Sequence, residues 1–167
     1  MKRRIYACSG VFISHLKGTE PESHACTDIL EAAREGSIEL HTSWVTITEV
    51  IALDRARLRR TPDHQRIVTE LMDSAYIVYS AVDQIVAEKS RTISWDFQIK
   101  THDALHLATA IVRKCEVVYT IDGPLTSRSG QSSNNIQLPK ILLPEFIREP
   151  SLPLGEPRTT PLTRKPI

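Results

Sequence analysis

The stretch THDALHLATAIVRKCEVVYTID, residues 101–122, contains a helical pattern followed directly by a strand pattern. Up to Lys114 the apolar residues recur at helical spacing, whereas EVVYTID, residues 116–122, is an apolar and β-prone run. A helix that leads at once into such a strand is typical of a parallel sheet, because crossover helices connect parallel strands. This stretch therefore predicts an α/β fold.

The rest of the chain repeats this alternation. Further strands are predicted at 5–7, 38–42, 76–79 and within 136–142. Further helices are predicted after Gly10, over 21–36, from Thr46 to about Arg60, after Pro62 and from about Val82. The run YIVY, residues 76–79, is typical of a strand buried on both faces. Together these patterns predict a parallel sheet with helices on both of its faces.

The composition fits a single domain followed by a tail. A chain of 167 residues with 41% hydrophobic residues is long enough and apolar enough to form one core. Seven of its ten prolines lie from Pro139 onward, and the last twenty residues have no hydrophobic period. We therefore expect a domain over residues 1–147 and a Pro-rich flexible tail over residues 148–167.

Charge and cysteine usage limit the class of protein. The net charge of +1 argues against a strongly basic nucleic-acid clamp, although a local basic patch is compatible with it. Three cysteines without close pairing indicate a reducing compartment. No apolar run approaches the roughly 18 residues of a membrane helix. These observations predict a cytoplasmic protein without a membrane segment.

Three acidic residues stand out by their positions in the predicted elements. Glu49 and Asp103 are expected in the first turns of helices, and Asp122 at the end of a strand. The carboxyl ends of parallel strands share one edge of a sheet, so Glu49 and Asp122 should face the same rim. Asp103 joins them if its helix begins beside that rim. Carboxylates gathered there would need a cation such as Mg²⁺ or Mn²⁺, and such ions support phosphodiester hydrolysis.

Each acid also has a local structural interpretation. Glu49 follows Thr46 at the spacing of a capping box, in which the glutamate accepts from a backbone N–H. Asp103 in a first helical turn faces the positive end of the helix dipole. Asp122 begins the turn sequence Asp-Gly-Pro. A convergence of the three carboxylates would favour the metal site over these separate roles.

Other residues with metal-binding chemistry have alternative interpretations. His102 and His106 are four residues apart, as zinc ligands on a helix often are, but the glutamate of a zinc protease is absent between them. Cys8 is either a soft metal ligand or a small buried hydrophobic residue.

Four segments in this order resemble the PIN domain family, especially its VapC-type ribonuclease toxins. They are YACSGVFISHLKG, TSWVTITEV, KTHDALHLATA and VVYTIDGPL, and the resemblance runs from about Arg4 to Pro144. It implies a three-layer α/β/α fold around a parallel sheet of about five strands. It also implies that Glu49, Asp103 and Asp122 bind Mg²⁺ or Mn²⁺ and catalyse cleavage of single-stranded or looped RNA. A homodimer and a small antitoxin protein that plugs the site are the implied partners.

The chain departs from this family at the opening segment. The family's first aspartate falls on Cys8, and its usual polar residue two positions later falls on Gly10. A thiol is a poor ligand for hard Mg²⁺, so activity should be impaired. Three interpretations stay open: an active nuclease with a three-acid site, a catalytically inactive RNA- or protein-binding module, and a chain whose aspartate was replaced deliberately. A fourth interpretation, an unrelated doubly wound binding protein, lacks support because the chain has no glycine-rich phosphate-binding motif.

Overall fold

The computed structural model of the chain describes residues 2–51 and 61–147. Strands β1 to β4 are Arg3–Ala7, Ile38–Ser43, Ile77–Ser80 and Val117–Tyr119; β5, β6 and β7 are Ser132–Ser133, Ile136–Gln137 and Lys140–Leu142. Five of them form one parallel sheet in the order β3-β2-β1-β4-β7. The predicted α/β fold with a parallel sheet is confirmed. No described helix is long and apolar enough to cross a bilayer.

Helices cover both faces of the sheet. The helices α1 to α7 are Ser9–Lys17, Ser23–Arg34, Trp44–Glu49, Pro62–Met72, Gln84–Phe97, Thr101–Val112 and Gly123–Thr126. One buried cluster joins the sheet to α1, α2 and the end of α4, and a second joins it to α5, α6 and α7. The alternation of side chains along β1 explains the division, because Ile5 packs in the first cluster and Tyr6 in the second. The result is the predicted three-layer arrangement.

The second cluster depends on the apolar face of α6. Leu107 is fully buried there, at the interface between α6 and the sheet. We expect Leu107→Ala to lower the free energy of unfolding by about 2–5 kcal/mol, since it removes buried methyl groups and leaves a cavity. Leu143→Ala, at a side chain that is 46% exposed, should change it by less than about 0.5 kcal/mol. Chemical denaturation of both variants checks the difference, and equal losses would contradict the packing described.

The helix predicted from Thr46 to Arg60 was wrong in its bounds. Within the described part of this stretch, up to Ile51, the helix is the six-residue α3, which begins at Trp44 after the Ser43 cap and ends at Glu49. β-Branched residues dominate this stretch and favour helix weakly, and the backbone leaves the helical region at Val50, which is buried. Glu49 therefore lies in the last turn, not the first, and the capping-box interpretation is wrong as well. Residues 52–60 lie outside the described ranges.

Three strand predictions also need correction. β3 is an edge strand with Val78 38% exposed, so YIVY is not buried on both faces. β4 stops at Tyr119, because the following residues turn into α7. The range 136–142 splits into β6, which pairs with β5 around an Asn134–Asn135 turn, and β7, which extends the main sheet. The predicted tail, residues 148–167, lies outside the described residues.

Candidate active site

The order of the strands creates a crevice at one edge of the sheet. The chain moves from β1 to β2 and β3 on one side, and then returns to β4 on the other side of β1. Open α/β sheets bind ligands at such a switch point, beyond the carboxyl ends of the strands. A cavity of about 810 Å³ lies here, which we call the site cavity. Its lining includes Cys8 after β1, Glu49 in α3, Asp103 in α6 and Asp122 after β4.

Two histidines of α6 hold the carboxylate of Glu49. His102 Nδ1 lies 3.1 Å from Glu49 Oε1, and His106 Nε2 lies 2.8 Å from Oε2. The His106 Nδ1 in turn lies 2.8 Å from the hydroxyl of the fully buried Tyr6. Burial raises the pKa of Glu49, but His106, a hydrogen bond from Ser9 and the charge of His102 outweigh burial and hold this pKa below its ordinary value. Glu49 is therefore a fixed anion that points into the site cavity.

This histidine pair was missed as a partner of Glu49 by sequence reasoning. Its spacing of four residues places both rings on one helix face, one turn apart. Asp103 also lies in the first turn of α6, so the helix contributes both an acid and the two partners of another acid. The motif HDALH predicts two histidines on one helix face, but it does not indicate that they contact Glu49.

Asp103 lies among like charges. Burial, followed by the charges of Asp122 and Glu49, raises its pKa, while His106 and Lys100 oppose the shift. A carboxylate feels such repulsion only when other carboxylates face the same space. The helix that carries Asp103 begins at Thr101 beside the rim, which places Asp103 with the other two acids in the site cavity.

The raised pKa of Asp103 has a consequence for stability. Because the folded pKa of Asp103 lies above the unfolded one, ionised Asp103 disfavours folding at neutral pH. This penalty declines as the pH falls through the folded pKa and is absent below the unfolded pKa. We expect Asp103→Asn to raise the melting temperature of the metal-free protein by about 2–4 °C at pH 7, with a smaller gain in acid. Asp63→Asn is the matched control, since exposed Asp63 also occupies a first helical turn. A lower melting temperature for Asp103→Asn than for this control would contradict the expectation.

Asp122 caps α7 and lines the cavity at the same time. Its Oδ1 accepts from the backbone N–H of Leu125 at 3.2 Å, and its own N–H donates to Thr120 Oγ1 at 3.1 Å. The Asp-Gly-Pro turn thus has the structural role that its sequence indicates. Asp122 is exposed and lines the site cavity, so capping by Oδ1 still leaves a carboxylate at the cavity wall.

Cys8 is a buried, uncharged member of the site. It precedes α1, is 5% exposed and packs in the second cluster. Burial, followed by the charges of Asp103 and Glu49, raises the pKa of its thiol far above the ordinary range. The thiol therefore stays protonated at neutral pH, which fits the interpretation of a small buried hydrophobic residue.

Ile121 fills the space beside Gly10. A Cβ atom built on Gly10 would lie 2.5 Å from Ile121 Cγ1, so a side chain at this position requires Ile121 to move. The two residues thus close the cavity wall between α1 and the end of β4 with an apolar contact.

The chemistry of the acids suits a hard divalent cation, but no ligand set is already assembled. Carboxylate oxygens are the ligands that Mg²⁺ and Mn²⁺ prefer, and mutual repulsion at Asp103 shows that negative charge is concentrated here. Yet no three His, Cys, Asp or Glu side chains within residues 2–51 and 61–147 are arranged to hold a metal ion. Glu49 in particular is bound to its two histidines. Metal binding would therefore need small rearrangements of side chains.

Comparison with known proteins agrees with this architecture. The model of the PIN domain matches residues 9–126, more than half of the chain. The chain belongs to the PIN domain family. Glu49, Asp103 and Asp122, the acids among the described residues that line the site cavity, lie within the matched residues of this PIN domain. PIN domain nucleases generally use divalent metal ions.

Two solved structures share the fold of this PIN domain. A toxin–antitoxin complex from Klebsiella pneumoniae superposes with a TM-score of 0.53 at 20% identity, covering 86% of this chain and 99% of that chain. VapC20 of Mycobacterium tuberculosis, a sarcin-ricin loop cleaving toxin, gives 0.59 at 12% identity, covering 74% of this chain and 93% of its own. Among curated proteins no sequence relative is found.

Proposed function

We propose that the chain is a divalent-metal-dependent ribonuclease of the VapC toxin type. The metal-binding and catalytic carboxylates would be Glu49, Asp103 and Asp122. The convergence of these three acids in one cavity at the sheet's switch point is the observation that supports this most strongly. The fold shared with a sarcin-ricin loop cleaving toxin is consistent with RNA as the substrate.

The residues of the site cavity would have separate roles in binding the metal ion and the RNA. Asp103 and Asp122 would hold the Mg²⁺ or Mn²⁺, and Glu49 would complete the set once His102, whose side chain is 70% exposed, swings away. A bound divalent ion lowers the pKa of an attacking water and stabilises charge on the phosphate. Lys100, at the start of α6 on the cavity lining, would bind a phosphate of the strand.

Removal of the metal tests this proposal. We expect the wild-type protein to cleave a sarcin-ricin loop hairpin with Mn²⁺ and to stop when EDTA is added, because no side chain replaces the lost Lewis acid. Gel analysis of end-labelled RNA measures this, with Mn²⁺ alone and with Asp103→Asn protein as controls against contaminating nuclease. Cleavage that persists in EDTA, or that survives in the Asp103 variant, would contradict the proposal.

A catalytically inactive binding module is the second candidate. The neutral thiol of Cys8 and the engagement of Glu49 by His102 and His106 favour it, because both reduce the charge available to a cation. This candidate predicts RNA binding without Mn²⁺-dependent cleavage even at high protein concentration. The same gel assay, run beside a binding titration, separates it from the nuclease.

The partners are proposals as well. One structural relative is a toxin–antitoxin complex, which supports a small antitoxin protein as the inhibitor of this chain. A homodimer is expected from the family resemblance, and light scattering would measure it. We also propose that the protein is located in the cytoplasm. We further propose that it consists of a PIN domain over residues 1–147 and a flexible tail over residues 148–167.

A further inference from the structure

A smaller cavity adjoins the site cavity. It has a volume of about 190 Å³ and is lined by Gln98, Ile99, Lys100, Asp103, Asp122, Pro124, Leu125 and Arg128. Three of these residues, Lys100, Asp103 and Asp122, also line the site cavity, so the two spaces share part of their walls. We call the smaller space the side cavity. It lies below the 300–1,000 Å³ or so of ordinary ligand pockets, so it suits one part of a larger ligand.

The side cavity combines charged and apolar walls, with two cations, Lys100 and Arg128, and two carboxylates, Asp103 and Asp122, in its lining. Lys100 and Arg128 contribute positive charge, and no carboxylate within the described residues forms an ion pair with either side chain. Pro124 is exposed and contributes apolar surface, whereas Ile99 and Leu125, which are 8% and 4% exposed, contribute only the edges of their side chains. The charge of Lys100 acts on Asp103 without a direct ion pair. Cations of this kind beside an apolar wall match a nucleotide, whose phosphate is anionic and whose base has an apolar face.

The wall of the side cavity is built by the same turn that positions Asp122. Asp122 Oδ1 accepts from Leu125 N–H, and the Arg128 N–H donates to the Leu125 carbonyl at 3.0 Å. These bonds fix Pro124, Leu125 and Arg128 relative to the acid. A group bound in the side cavity is thereby held at a fixed position from the carboxylates.

We propose that the side cavity binds one nucleotide of the RNA strand next to the scissile phosphate. Its phosphate would lie between Lys100 and Arg128, and its base against Ile99, Pro124 and Leu125. This inference rests on the proposed ribonuclease function for its substrate class. It makes Arg128 and Pro124 positioning residues, which act on binding of the strand and not on the chemical step.

The experiment measures binding of a fluorescein-labelled short single-stranded RNA in Ca²⁺ buffer by anisotropy. We expect Arg128→Gln to weaken binding about 3- to 10-fold and to reduce the salt slope by about 0.7, the value for one phosphate contact on a single strand. Pro124→Ala should weaken binding about 2- to 3-fold with an unchanged slope, because it removes apolar contact and no charge. Arg66→Gln, which removes an exposed arginine of α4, is the matched control and should have little effect.

The outcomes separate this inference from the nuclease proposal. If the wild-type protein cleaves no RNA but Arg128→Gln and Pro124→Ala still weaken binding, the nuclease proposal fails and the nucleotide site stands. The inference would be overturned by equal affinities of the Arg128 and Arg66 variants, or by no RNA binding of the wild-type protein. A loss in the Arg128 variant alone would show a phosphate contact without a base in the cavity, and would overturn it too. Melting temperatures of all variants identify any loss of fold.

Discussion

Replacement of Cys8 by aspartate should increase Mn²⁺-dependent RNA cleavage by about 10- to 100-fold, the range over which a group supporting a metal site usually changes affinity or activity. Cys8 lines the site cavity, and the charges of Asp103 and Glu49 act on its thiol. A carboxylate there would add a hard oxygen ligand where a protonated sulfur now lies. The initial cleavage rate as a function of Mn²⁺ concentration measures the gain.

The same variant should show a metal-dependent stability. A fourth carboxylate adds repulsion to a partly buried acidic cavity, so Cys8→Asp should melt below the wild-type protein in EDTA and recover when Mn²⁺ is added. Cys8→Asn is the matched control, because it has nearly the same shape and no charge. An increase in cleavage by Cys8→Asn as large as that by Cys8→Asp would show that a carboxylate is not what the site lacks.

Asp103→Asn should reduce Mn²⁺-dependent cleavage by at least about 100-fold, since the loss of a direct ligand costs at least as much as the loss of its supporting groups. Asp103 faces Asp122 and Glu49 across the site cavity, and Asn presents a neutral amide in nearly the same volume. The fold should persist and even gain stability at neutral pH. Loss of activity together with a raised melting temperature would separate a catalytic role from a structural one.

Asp63→Asn again provides the control for the Asp103 variant. Both residues occupy the first turn of a helix, so both substitutions remove a carboxylate from the positive end of a helix dipole. Only Asp103 faces the site cavity. Equal activities of the two variants would exclude Asp103 from the metal site.

Local sequence patterns predicted the architecture because they report it directly. The helix α6 lies nearly where its helical spacing places it, and the apolar run 116–122 contains β4, although that strand is only three residues long. The predicted bounds of α3 were wrong because the helix ends before Val50, although the helical spacing of apolar residues continues beyond this position. Val50 is buried, and its burial is a tertiary effect that local sequence does not show. The exposed edge position of β3 is likewise set by strand order, which local residues do not encode.

The sequence predicted which acids meet in the site cavity but not the side chains that contact them. The role of these acids as metal ligands stays a prediction. Glu49 and Asp122 follow strand ends, and the geometry of a parallel sheet brings such positions to one rim. Asp103 joins them because α6 begins beside the site cavity, which the sequence left open. The contacts of His102 and His106 with Glu49 join residues more than fifty positions apart in sequence, and so does the hydrogen bond between Tyr6 and His106. Such contacts depend on the packing of α6 against α3 and β1, so only the folded structure shows them.

Binding of Mn²⁺ to the metal-free protein, followed by ¹³C NMR of the Asp and Glu carboxyl groups, tests the central claim without a need to know the RNA target. Mn²⁺ broadens the signals of groups beside it. We predict that Asp103, Asp122 and Glu49 broaden at lower Mn²⁺ concentrations than the exposed carboxyls of Asp63 and Glu70. Uniform broadening of all carboxyls, or selective broadening elsewhere, would contradict the assignment of a metal site to these three acids.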